Sequence, residues 1–355
     1  MGPSWPWMLM LAAGVGFYLF KLRTRRAADA TDPGSRPATA GAQDEQRRLL
    51  PAELAALYDA ASAQGDLRQL SARLISGRGN WDERGRLIEA IAPRLHRSTL
   101  DAWCSNEASS QLPFLLRGAQ GIAWAWEARG SGQADEVSAQ AFALFQQRLK
   151  LAETDLQRAA ALDPKDPTPW ALLIWIARGL EQSINHTGDL YREACERDAQ
   201  NAIAHRHMLT MLSAKWHGSH DAMLDFARAA AQIAPEGSDM PALVLRAHVE
   251  RWFYSSMIED NDAEADAYLK DPQVRVECEN AWARSLGSLA LRARPSTILL
   301  RNDAAFWFWL VKDAARLKQE TQQIGNAHTD MFWSALGQDA DVFTEAKKWA
   351  QTTRA

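Results

Sequence analysis

The chain has 355 residues, 47% hydrophobic and 24% charged, a composition that folds and excludes a mostly disordered or collagen-like polymer. Its 40 basic and 44 acidic side chains leave a net charge of −4, so no general basic field attracts nucleic acid. Three widely spaced cysteines, Cys104, Cys195 and Cys278, exclude a disulfide framework and a zinc ribbon.

Residues 1–26 are expected to form a membrane anchor with a basic flank. Trp5 to Phe20 (WPWMLMLAAGVGFYLF) carries no charge and is followed by Lys21, Arg23, Arg25 and Arg26. A helix of that length reaches about 24 Å at about 1.5 Å per residue, short of a hydrocarbon core of roughly 30 Å. Residues 2–4 and Leu22 can extend it, while Lys21 and Arg23 snorkel toward the headgroups. Trp5, Trp7 and Tyr18 sit near the ends, where amphipathic rings favour the interface. A cleaved signal peptide would put its basic residues before the apolar run and end in a small-residue cleavage site, and neither is present. Pro6 stands where N-myristoylation requires Ser or Thr. Basic residues on the carboxyl side of the span place the rest of the chain in the cytoplasm by the positive-inside rule.

Residues 27–48 (AADATDPGSRPATAGAQDEQRR) hold almost no large apolar side chain and cannot offset their ordering entropy by burial. They are expected to be a flexible tether. Residues 49–355 follow as one all-α domain, since apolar residues recur at helical spacing, as at Leu54, Leu57 and Tyr58, without alternating strand patterns. Helix breaks are expected at Gly77 to Gly79, Pro93, Pro113, Pro164, Gly188, Pro235, Pro272 and Pro295.

Between 151 and 251 the pattern repeats. Leu156, Tyr191 and Phe226 recur at an interval of 35 residues, followed three or four positions later by Ala159, Ala194 and Ala230. Each set runs into a helix stop: Leu162-Asp163-Pro164, Arg197-Asp198-Ala199 and Ile233-Ala234-Pro235. A helix pair repeating at this period is the signature of stacked α-hairpins. Small residues at such positions let two helices approach to about 8–10 Å. The segments LQRAAALDPKDPTPWALL and YREACERDAQNAIAHRHML resemble the tetratricopeptide repeat, each joining the second helix of one unit to the first helix of the next. The Gly usual in the first helix is absent, and Ala199 stands where Pro is usual. The segment KWHGSHDAMLDFARAAAQIAPEGSDMPAL is also similar to an uncharacterised bacterial domain family with tetratricopeptide-like helices, through its W-x-G-S-x-x-x-M-x-x-F-A-R pattern. The resemblance implies an α-solenoid that binds a protein or peptide, and it implies no catalysis.

Candidate chemistry is sparse. His205, His207, His217 and His220 cluster, but His205 and His207 at i, i+2 point about 200° apart on a helix and cannot share an ion. His217 and His220 could recruit His248 as a third ligand to make a metal-dependent hydrolase, the alternative to a binding role. Gly218 and Ser219 fit a simpler reading, a helix stop followed by an N-cap. Ser219 has no nucleophile elbow, and Asp260 to Asp266 lacks the spacing of a calcium loop. No phosphate-binding or dinucleotide motif occurs, and no cofactor is expected. The aromatic pairs Trp124/Trp126 and Trp307/Trp309 are either packed between neighbouring helices or line a groove for a partner.

Overall fold

The computed structural model describes residues 45–64, 67–129, 138–216, 218–336 and 339–353. These residues are all-α, with no strand among them. The expected anchor, Trp5 to Phe20, lies outside the described residues. Among the described residues no helix is long and apolar enough to cross a membrane. They divide into two compact units, one of 50–129 and 138–211 and the other of 45–49 and 212–353. The division falls inside the repeating stretch 151–251.

The first unit holds α1 (Ala52–Gln64), α2 (Arg68–Ser76), α3 (Trp81–Ile91), α4 (Arg97–Asn106), α5 (Gln111–Arg129), α6 (Ala139–Leu162), α7 (Thr168–Gly179), α8 (Ile184–Arg197) and α9 (Ala202–Met211). The long helices α5 and α6 form its most extensive pairing. Glycine makes this possible: a Cβ on Gly121 would lie 2.9 Å from Ala152 Cβ, and one on Gly118 would lie 2.7 Å from Leu156 Cγ. α6 then packs on α7, α7 on α8, and α9 on both α7 and α8. Ser138 and Ser183 cap α6 and α8 by accepting from the Ala141 and His186 amides. Ala159 and Ala194 are fully buried and Ala160 is 5% exposed, which places the small residues of the repeat inside the packing.

Gly188 does not break the chain as expected; it lies inside α8. An internal glycine costs roughly 1 kcal/mol against alanine. Here the cap at Ser183 and the buried stripe Thr187, Leu190 and Ala194 outweigh that cost.

The second unit holds α10 (His220–Ile233), α11 (Leu243–Phe253), α12 (Asp262–Lys270), α13 (Pro272–Ala283), α14 (Thr297–Leu310), α15 (Ala314–Ile324) and α16 (Asp339–Thr352). Ser219 accepts from the Ala222 amide and starts α10, as its position after Gly218 predicted. The acidic stretch is a turn and cap: Asn261 accepts from the Glu264 amide and donates to Glu264 Oε2. α11 is the central helix, packed against α10, α13 and α14. Around it Trp252, Phe306, Phe332, Trp333 and Phe343 meet ring to ring, Phe306 stacking on Phe332 at 5.4 Å. The last four residues of the expected tether, 45–48, are helical. Arg48 donates to Asp330 at 2.6 Å and to the His328 carbonyl at 3.1 Å, while Glu45 Oε1 accepts from the Asp330 amide.

Candidate functional site

His217 lies outside the described residues. His220 opens α10 with its ring edge-on to Tyr254 at 5.1 Å. His248, buried in the middle of α11, has both ring nitrogens engaged: Nδ1 with the Tyr268 hydroxyl and Nε2 with Glu277 Oε2 at 3.1 Å. A metal would have to displace those partners, because a coordinating imidazole nitrogen must offer its lone pair. Among the described residues no three His, Cys, Asp or Glu side chains are grouped to hold a metal ion.

The tryptophans separate by burial. Trp307 is 1% exposed, with its ring 5.9 Å from that of His248, and a buried ring presents no surface to a partner. Trp309, two positions on, is half-buried against Trp349 at 5.5 Å with Lys312 Nζ 3.5 Å above its ring. Trp124 is half-buried under the Arg148 guanidinium at 3.9 Å. Trp126 packs edge-on to Phe145 at 4.9 Å, with Arg129 over its ring at 5.6 Å. Within its own unit, each of these three rings packs against a cation of the same unit.

The second unit contains the hollow that the sequence did not reveal. α10 and α13 each pack on α11 and on the turn Met240–Ala242, but not closely on each other. The gap between them is a groove of about 510 Å³. Pro241, Val244, Ala231 and Ala281 line it as buried residues, and Val276 stands 55% exposed in its wall. Two cross-links span it. Arg228 on α10 holds Glu277 on α13 with two bonds of 2.7 and 2.9 Å, and Arg284 donates to the Ala231 carbonyl at 3.2 Å. Arg284 is the residue after α13 and Ala231 lies in the last turn of α10, so the second link joins the carboxyl ends of the two helices. Arg228 and then His248 hold the Glu277 carboxyl well below the usual carboxylate range by donating to it. Burial pushes the Tyr268 hydroxyl up, which keeps it protonated beside His248.

In the first unit a second charged group lies between α3 and α9. Burial alone would raise Glu89, but Arg206, His207 and Arg86 bring it down to about 2. Burial pushes His207 down to about 4 despite the Glu89 carboxylate 3.6 Å away. His207 is therefore a neutral ring at pH 7, set against Trp175 at 4.9 Å. His205 bonds instead with the Tyr191 hydroxyl at 2.8 Å, so Tyr191 of the repeat ties α8 to α9. The two histidines point to different neighbours, as their i, i+2 spacing requires.

No model of a known protein family matches the chain, and no curated protein matches it either.

Proposed function

We propose that the protein is a membrane-tethered interaction module without catalysis of its own. In this reading residues 5–20 anchor it, residues 49–355 form a tetratricopeptide-like α-solenoid on the cytoplasmic side, and a groove in that domain holds a protein partner. The observation that carries the reading is the α10–α13 groove, an apolar floor with a polar rim on a well-packed helical support. Interaction sites combine such a floor with a polar rim. Helical hairpins supply extended surfaces of this kind because each helix pair contributes one strip. The repeat of 35 residues between Leu156 and Phe226 supports the solenoid, and the uncharged run before Lys21 supports the anchor.

A photoreactive phenylalanine introduced at Gln232 in the full-length protein tests this in living cells. A discrete crosslinked adduct is expected, lost on Val276→Arg and kept on Glu107→Arg, a change at an exposed residue of the other unit. Absence of an adduct, or one indifferent to Val276→Arg, overturns the groove as the docking site. A reporter fused after Ala355 should be active in the cytoplasm, and activity on the far side of the membrane would reverse the topology.

A further inference from the structure

The groove's own chemistry narrows what it takes. Its rim carries three amide side chains, Gln232 on α10 and Gln273 and Asn280 on α13. None makes a side-chain hydrogen bond among the described residues, whereas the charged pair at one end, Arg228 with Glu277, is saturated by its own bidentate contact. Free amides on opposite rims suit an occupant that brings unpaired backbone groups. An extended segment has N–H and C=O groups to give along its whole length; a helix has already spent its own.

Charge separates the two ends. Arg228 is paired with both Glu277 and Asp225, which leaves Arg284 as the cation lining the groove that makes no ion pair among the described residues. Its guanidinium uses one donor, on the Ala231 carbonyl, and guanidinium offers about five N–H donors in a planar fork. The carboxyl ends of α10 and α13 both lie at Arg284, each carrying roughly half a negative charge. They temper its field but leave most of its donors unspent. A carboxylate can take those donors in a charge-assisted fork, and a lysine in the same place would meet a like charge.

We propose, resting on the docking reading above, that the α10–α13 groove takes an extended acidic segment of a partner protein. An apolar side chain of that segment sits over Val244, Val276 and Ala281, its backbone pairs with the rim amides, and a Glu or Asp side chain lies on Arg284. The volume of about 510 Å³ falls within the roughly 300–1,000 Å³ of pockets that enclose ligands.

The test uses the full-length protein in detergent micelles and libraries of fluorescent octapeptides with acetylated and amidated ends. Each library has one Leu fixed and a second position occupied by Glu, Gln or Lys at every spacing from it. The expected result is selection of Leu with Glu and binding about tenfold weaker with Gln. Arg284→Gln should remove that preference, and Arg284→Glu should transfer it to Lys. Arg284 is exposed, and circular dichroism checks that both variants keep their helix content. Selection without charge preference, or a Glu preference unchanged in Arg284→Glu, overturns the acidic segment. If uncharged peptides bind and Val276→Arg abolishes their binding, the docking reading stands and this proposal falls. If no library binds, both fall.

Discussion

Replacing Asp166 with alanine should destabilise the first unit more than any surface change, because it strands a buried cation. Asp166 sits fully buried in the turn before α7. Its Oδ2 accepts from Arg84 Nε at 3.1 Å, Arg84 Nη2 at 3.0 Å and Gln111 Nε2 at 2.7 Å, and its Oδ1 accepts from the Thr168 amide at 2.8 Å. The Arg84 side chain is 1% exposed and also donates to the Leu74 carbonyl, so this one carboxylate joins α2, α3, α5 and α7. Removing it leaves the guanidinium with neutral acceptors only. Breaking a buried ion pair from one side costs about 3–5 kcal/mol, against total stabilities of roughly 5–15 kcal/mol. Asp166→Asn, which keeps the shape and loses the charge, should cost about 1.5–3 kcal/mol, the worth of a hydrogen bond to a charged group. Arg84→Met in the Asp166→Ala background should then cost less than the two single changes added, by about 0.5–3 kcal/mol of coupling. Urea unfolding at pH 7 gives the energies, and hydrogen exchange of peptides from α3 and α7 locates the loss. An Asp166→Ala cost below about 1 kcal/mol, or strict additivity in the cycle, refutes the assignment.

Two further outcomes follow from the same packing. Ala194→Leu puts a branched side chain where alanine is already fully buried, so it should cost about 1–3 kcal/mol, and an unchanged melting temperature would contradict the repeat register. His207, down to about 4 when folded against about 6.5 unfolded, contributes stability that is full above the unfolded value and is lost as pH falls from about 6.5 to about 4. The unfolded chain takes up a proton in that window that the folded one refuses. Glu89, down to about 2, adds a second loss only below about 4.5. Urea midpoints at several pH values should therefore fall more steeply in the native protein than in His207→Asn, and equal slopes would remove His207 from the account.

What could be read along the chain is what physics makes local. Helix propensity, capping and the 3.6-residue period act within a few residues, so the all-α character and the start of α10 at Ser219 were legible, as was the opposite facing of His205 and His207. Ala159, Ala194 and Ala230, spaced by 35 and 36 residues along the chain, are all buried. Gly188 marks the limit of local rules, since its helix is held by a stripe that packs on neighbours. Tertiary packing alone decided that Trp307 lies in the core while Trp309 rests at the surface against Trp349, forty positions away. It also brought Arg84 to Asp166 across a separation of 82 residues and Arg228 to Glu277 across 49. The groove is a property of no single segment. It exists because α10 and α13 both find their apolar partner in α11 and neither finds it in the other, and packing preferences of that range leave no periodic trace in the sequence.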